Sequence, residues 1–126
     1  MSGTNTKEIV GTYISEEKDF ILKITECDYH TGIYKGTFYT KDSPLGEMTY
    51  DIQGQYTFSG SNRYPCMVGF SIGIRPSGYW DYVFSDYWTG SRDEKGQILM
   101  SGARAYMEDN GLRETYSFDS IIFNLQ

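Results

Sequence analysis

The stretch MTYDIQGQYTFS, residues 48–59, decides the fold of this chain. Large apolar side chains stand at alternate positions, and polar side chains fill the positions between them. The apolar set is Met48, Tyr50, Ile52, Tyr56 and Phe58, and the polar set is Thr49, Asp51, Gln53, Gln55, Thr57 and Ser59. A period of two is typical of a strand in a sheet with one buried face and one face in water. The stretch therefore predicts a β-strand that covers a hydrophobic core.

Seven further stretches show strand character, and none shows a convincing helical pattern. The eight predicted strands are 8–15, 20–26, 32–40, 47–59, 66–75, 79–89, 96–107 and 114–125. Short runs rich in Gly, Pro, Asn, Asp and Ser separate them, and such runs favour turns. Because short connections join antiparallel neighbours, we expect an all-β, eight-stranded antiparallel up-and-down β-barrel. Its interior is either filled by side chains or open to one small ligand.

The composition fits one domain that needs no metal or disulfide to fold. The 126 residues are 17% aromatic, which suits pleated strands, and they carry a formal net charge of −6. We expect residues 1–8 to be a flexible segment and residues 9–126 to form a single barrel domain. Without a basic stripe the chain is not expected to bind nucleic acid, and no apolar run is long enough to predict a membrane helix.

The cellular compartment stays open at this point. The chain as given has no signal-peptide pattern, which leaves either a cytoplasmic protein or a secreted one whose signal is absent. Cys27 and Cys66 are the only cysteines, and their sequence positions do not decide whether they pair.

Patterns for catalysis and for metal binding are weak. Ser71 lies in Gly69-Phe70-Ser71-Ile72-Gly73, which fits the G-x-S-x-G pattern, but a nucleophile elbow needs a sharp turn into a helix and strand is predicted on both sides. The single histidine, His30, falls in a turn, and the carboxylates are dispersed among turns. We therefore expect a non-enzymatic protein with no catalytic residue, no metal site and no cofactor.

Asp86 is the acidic residue that stands out. Period two places it on the same strand face as Phe84 and Trp88. If that face lines the barrel, the carboxylate must be paired, hydrated or bound to a ligand, because an isolated buried charge is costly. Arg104, on the seventh strand, is the candidate partner if its own face turns inward.

Five fragments, in order, resemble the avidin/streptavidin family. Gly11-Thr12-Tyr13 resembles the family's Gly-Thr-Trp, Gly36-Thr37-Phe38-Tyr39-Thr40 its Gly-Thr-Tyr-x-Ser, Ile52-Gln53-Gly54-Gln55-Tyr56 its Leu-x-Gly-x-Tyr, Val68-Gly69-Phe70-Ser71-Ile72 its Leu-Gly-Trp-Thr-Val, and Tyr87-Trp88-Thr89-Gly90 its Thr-Trp-Ser-Gly. Order and spacing match from Gly11 to about Gly90, with a looser fit through Phe123. The resemblance implies the same barrel, a bound small molecule such as biotin, and dimers or tetramers.

The resemblance also implies positions for the ligand contacts. They fall on Ser15, Phe38, Thr40, Ile74, Phe84, Asp86 and Trp88, with further positions on Gly102, Ile121 and near Arg113. The family's cage for a ureido ring needs hydroxyls and a carboxylate at these places, and here only Ser15, Thr40 and Asp86 are polar. The altered positions predict a ligand other than biotin, or biotin bound only weakly. Phe38, Ile74, Phe84 and Ile121 alternatively fill the interior.

Two functions from different classes follow. The first is a binding barrel that holds a small ligand at its mouth. The second is a glycan- or protein-binding module with a filled barrel, which acts through exposed aromatic residues as a homo-oligomer. The rings considered for that role are Tyr79, Trp80, Tyr82 and Tyr87. Outward apolar residues expected to support a homo-dimer or homo-tetramer are Leu99, Ala103, Ala105, Phe118 and Ile122.

Overall fold

A computed structural model describes residues 9–28, 30–41, 43, 46–58, 66–74 and 82–126. The strands are β1 (Gly11–Ser15), β2 (Phe20–Asp28), β3 (Ile33–Thr40), β4 (Met48–Phe58), β5 (Cys66–Ile74), β6 (Tyr82–Arg92), β7 (Ile98–Glu108) and β8 (Arg113–Leu125). Each strand pairs antiparallel with the next, and β8 pairs with β1, which closes the barrel. The predicted fold class is confirmed.

The strand bounds agree with the prediction to within a few residues. The largest displacements at described ends are three residues: β1 begins at Gly11 where the prediction begins at residue 8, and β6 continues to Arg92 where the prediction ends at residue 89. Residues 1–8, expected to be flexible, lie outside the described residues. Within the described part of the chain, no helix is long and apolar enough to span a membrane.

The barrel has two ends that differ in their contents. We call the end where β1, β3, β5 and β7 finish the mouth end, and the opposite end the far end. At the far end, the Arg92 Nε donates to the Tyr13 hydroxyl at 3.0 Å, and that hydroxyl donates to the Ile9 carbonyl at 2.7 Å. The chain segment before β1 is therefore tied to the core by a buried polar chain.

Aromatic rings fill the middle of the barrel. Phe38 lies centrally, with its ring centroid 5.1 Å from that of Phe70 and 5.2 Å from that of Trp88. Phe20 closes the other side, 5.0 Å from the Trp88 ring. Such close ring pairs bury much apolar area, so they make a large contribution to the stability of the barrel.

A bulge in β8 changes which side chains point inward. Met100 pairs with Ile121 and Gly102 pairs with Phe118, so two steps along β7 correspond to three along β8. The extra residue turns both Phe118 and Ile121 toward the core, and Ser120 takes a positive φ of 55° there. The expectation that Phe118 faces outward is therefore wrong, because strict alternation does not hold across the bulge.

Candidate functional site

A cluster of three inward polar side chains lies in the mouth half of the barrel, with Asp86 and Arg104 buried and Tyr50 half-buried. Asp86 and Arg104 are directly opposed on neighbouring strands β6 and β7, and Tyr50 reaches them from β4. Period two along each strand turns all three side chains inward. We call Asp86, Arg104 and Tyr50 the polar anchor.

The polar anchor is held by short, well-directed hydrogen bonds. Arg104 donates from Nε to Asp86 Oδ1 at 2.6 Å and from Nη2 to Asp86 Oδ2 at 2.7 Å. The Tyr50 hydroxyl donates to Asp86 Oδ2 at 2.5 Å. Asp86 is 2% exposed and Arg104 is 3% exposed. A two-point Arg–carboxylate pair of this kind fixes the orientation of both groups as well as their charges.

Aromatic faces enclose the guanidinium. The Arg104 Cζ atom lies 5.1 Å from the centroid of the Phe84 ring and 5.6 Å from that of the Phe118 ring. These distances lie within the range of cation–π attraction. Phe118 in turn stacks on Trp88 with a centroid separation of 5.2 Å and an interplanar angle of 7°.

The surroundings fix the protonation states of Tyr50 and Arg104. Burial raises the pKa of Tyr50 far above its usual value of 10.0, and the neighbouring Asp86 charge raises it further. Burial opposes the charged form of Arg104, but its hydrogen bond to Asp86 and the charge of Asp86 outweigh that effect and raise its pKa. Tyr50 is thus a neutral donor and Arg104 a cation throughout the physiological range.

Three other candidate residues lie on β1, β3 and β5. Ser15 and Thr40 end β1 and β3 at the mouth end, and both are buried. The Ser15 hydroxyl accepts a hydrogen bond from the Phe20 backbone N–H at 3.0 Å, so one of its lone pairs already has a structural role. The side chain of Ile74 lies outside the described part of the structure.

Two further candidate residues, Phe84 and Trp88, are aromatic rings with different surroundings. The Phe84 ring meets the Tyr50 ring edge to face at 6.0 Å and so closes one side of the anchor. Trp88 is fully buried in the ring cluster, and its Nε1 has no hydrogen-bond partner among the described residues. A buried N–H donor without a partner is costly, and such donors are uncommon in folded proteins.

Sequence reasoning identified part of this cluster. The inward face of Asp86 and its pairing with Arg104 are confirmed. Tyr50 was assigned to the core face of its strand but not to the site, although a Tyr on an inward face signals a hydroxyl that needs a partner. The inward position of Phe118 was not predicted, because no residue pattern in the sequence indicates the β8 bulge.

The G-x-S-x-G stretch forms no nucleophile elbow. Ser71 is an exposed, outward residue, and strand β5 continues past it to Ile74. Among the described residues, no group of three or more His, Cys, Asp or Glu side chains is placed to hold a metal ion. Cys27 and Cys66 are both buried and are not joined in a disulfide.

The outer surface of β5–β8 is a second notable feature. Four large apolar side chains on it are about half exposed: Met67 53%, Tyr87 59%, Leu99 48% and Met107 46%. Between them lie small residues, and a depression of about 770 Å³ extends over Gly73, Ser85 and Ala105. We call this surface the β5–β8 outer face.

Two solved structures share the barrel. The crystal structure of core-bradavidin matches with a TM-score of 0.61 at 16% identity, over 92% of this chain and 98% of that chain. The structure of a biotin binding protein from chicken matches with a TM-score of 0.57 at 13% identity, over 96% of this chain and 99% of that chain. No protein-family model and no curated protein matches the chain. The likeness shows that this chain has an avidin-like fold.

Proposed function

We propose that this protein is a non-enzymatic binding barrel that holds a small ligand other than biotin, or biotin only weakly, in the mouth half of its interior. The contact residues proposed are Ser15, Phe38, Thr40, Ile74, Phe84, Asp86 and Trp88. The observation that carries the proposal is the polar anchor, a charged and hydrogen-bonded cluster buried inside a ring-lined barrel.

Stability alone is a poor explanation for the anchor. Removing two charges from water costs so much that a buried ion pair can often be replaced by apolar side chains without loss of stability. Ionisable groups that are perturbed by burial and by a specific charged partner are found preferentially at functional sites. The Trp88 Nε1 atom, which has no partner among the described residues, is a further buried polar group in the same interior.

The ring packing supports a ligand different from biotin. Phe38 stands where the resemblance places a tyrosine hydroxyl, and its ring is in close contact with Trp88. Phe84 stands where the resemblance places a serine hydroxyl, and its face lies against Arg104. An interior with rings in place of those two hydroxyls has fewer donors for the polar groups of biotin, since Ser15 and Thr40 are the hydroxyls that stay at the implied contact positions.

Native mass spectrometry of the freshly purified protein, with and without added biotin, tests the proposal. We expect a retained small mass that is not biotin and that is released when the protein is denatured. Little of the Asp86→Asn variant should carry the small molecule. The Asp51→Asn variant, which changes an exposed carboxylate on β4, should carry it as wild-type protein does. Protein that carries no small molecule and binds none from a metabolite extract would contradict the proposal.

The alternative function, an interaction module that acts through exposed rings, is favoured by one observation. Tyr87 is the most exposed of the large apolar side chains that the structure describes, and it lies on the β5–β8 outer face. The other rings considered for this role, Tyr79 and Trp80, lie outside the described residues, as does the side chain of Tyr82. Binding to a glycan array or to a partner protein that Tyr87→Ser abolishes would support this alternative.

Homo-oligomerisation is part of both proposals. The β5–β8 outer face combines half-exposed apolar side chains with small residues that allow two sheets to approach closely. Surfaces of this kind are typical of interfaces between identical subunits. The proposed state is a homo-dimer or a homo-tetramer.

A further inference from the structure

We infer that four side chains form a guanidinium-binding site that Arg104 occupies as a tethered ligand, and that this site accepts a free planar cation, an amidinium or a guanidinium, when the Arg104 side chain is removed. The four are Asp86, Tyr50, Phe84 and Phe118. In the wild-type barrel Arg104 and Tyr50 already bond both oxygens of Asp86, so this inference goes beyond the proposed small-ligand function and does not depend on it.

One edge of the guanidinium meets a matching carboxylate. Arg104 uses Nε and Nη2 against the two oxygens of Asp86, at 2.6 and 2.7 Å. This parallel two-point geometry fits a planar fork of N–H donors, which an ammonium group does not provide. The Asp86 carboxylate thus selects for shape as well as for charge.

The Asp86 carboxylate accepts one hydrogen bond that does not depend on Arg104. The Tyr50 hydroxyl donates to Asp86 Oδ2 from β4, and burial holds Tyr50 in its neutral donor form. Asp86 therefore has a positioning contact that remains when the arginine side chain is removed.

The faces of the guanidinium are also enclosed by groups with other supports. Phe84 and Phe118 lie 5.1 and 5.6 Å from the Arg104 Cζ atom. Phe118 is held by its stack on Trp88, and Phe84 is held by its edge contact with Tyr50. Because neither wall depends on Arg104 alone, the site stays organised for a planar cation from solution.

The test removes the tethered group and supplies a free one. Arg104→Ala leaves Asp86 buried without its cation, which should lower the midpoint of thermal unfolding. Ethylguanidinium at low millimolar concentration should restore the midpoint by several degrees in a saturable manner. N-Ethylurea, which is planar and neutral, and ethylammonium, which is charged but not planar, are the matched ligands.

We expect ethylguanidinium to act at concentrations roughly tenfold lower than ethylammonium, and N-ethylurea to have no effect. The double variant Arg104→Ala/Asp86→Asn should respond to none of the three. Equal rescue by ethylammonium, equal rescue in the double variant, or no rescue of a folded Arg104→Ala protein would each overturn the inference. If Arg104→Ala does not fold in buffer, its refolding yield with each compound is the readout, and equal yields overturn the inference.

The wild-type protein separates this inference from the proposed function. A wild-type barrel that retains a small molecule, together with a folded Arg104→Ala variant that ethylguanidinium does not rescue, would refute the guanidinium inference and leave the binding function standing. A wild-type barrel that binds no small molecule, together with an Arg104→Ala variant rescued by ethylguanidinium, would refute the function and leave the tethered-ligand assignment standing.

Discussion

Asp86 and Arg104 show how much depends on single side chains inside this barrel. Each is almost fully buried, and each neutralises the charge of the other. A buried pair gives little net stabilisation over apolar side chains of similar size, but loss of one partner leaves a buried charge without compensation. The two residues should therefore be strongly coupled in their effects on the free energy of unfolding.

We expect Asp86→Ala to lower the free energy of unfolding by about 3–5 kcal/mol, because Arg104 stays buried without its carboxylate. The double variant Asp86→Leu/Arg104→Met should lose much less, since both charges are gone and the volume is retained. Urea denaturation of the two variants and of wild-type protein measures the difference. A double variant at least as unstable as Asp86→Ala would contradict this expectation.

Buried tyrosines make the stability fall at alkaline pH. Burial raises the pKa of both Tyr34 and Tyr50 well above the usual 10.0 that applies in the unfolded chain. Above that pH the unfolded state binds fewer protons than the folded state, so the free energy of unfolding decreases as the pH rises. Below it these two groups make no pH-dependent contribution.

The expected slope is a loss of about 1.4 kcal/mol per pH unit for each of the two tyrosines. Urea titrations at about pH 9, 10 and 11 measure it, and Tyr50→Phe should reduce the slope by one proton. Tyr87→Phe removes an exposed phenol on β6 and serves as the control. An unchanged slope in Tyr50→Phe would count against the burial of that hydroxyl.

At the scale of the strands, β7 and β8 shape the interior together. The β8 bulge turns Phe118 inward, and Gly102 on β7 leaves room for the Trp88 ring on which Phe118 stacks. A methyl group built on Gly102 would lie 2.5 Å from Trp88 Cδ2, which is too close for two carbon atoms. The bulge and the glycine are thus two parts of one packing arrangement.

Gly102→Ala should destabilise the protein by about 1–3 kcal/mol, because the large Trp88 ring has to shift within a packed core. The shift should also change the fluorescence emission of Trp88. Gly73→Ala is the matched control, since a methyl group there meets nothing within 4 Å. If Gly102→Ala unfolds at the same urea concentration as Gly73→Ala, the close approach of Trp88 is incorrect.

At the scale of the whole molecule, the β5–β8 outer face predicts self-association. Leu99→Asp places a charge on that face without touching the core, because Leu99 points outward and is 48% exposed. We expect wild-type protein to sediment as a dimer or tetramer at micromolar concentration and Leu99→Asp to shift toward monomer. Thr49→Asp, on the outer surface of β4, should leave the sedimentation coefficient unchanged. A wild-type monomer would disprove the prediction.

The barrel could be predicted from sequence because its signal is periodic. Alternation from Met48 to Phe58 marks the core face of β4, and the same rule puts Asp86 and Arg104 inside. The rule fails at Phe118, because a one-residue bulge shifts the phase of the alternation without a distinctive residue type. The hydrogen bond from Tyr50 to Asp86 was also not predicted, since the two residues are 36 positions apart in the chain and only barrel closure brings them together.

The pairing of β8 with β1, which closes the barrel, has a practical consequence for measurements on this protein. The Gln126 backbone N–H donates to the Thr12 carbonyl at 2.9 Å, which places the last residue of this sequence at the far end of the barrel. A sensor surface or fluorescent label coupled at Gln126 therefore leaves the mouth end, where β1 and β3 finish, directed toward bulk solution. Immobilised in that orientation, the protein can be screened against small molecules without the support blocking the mouth end.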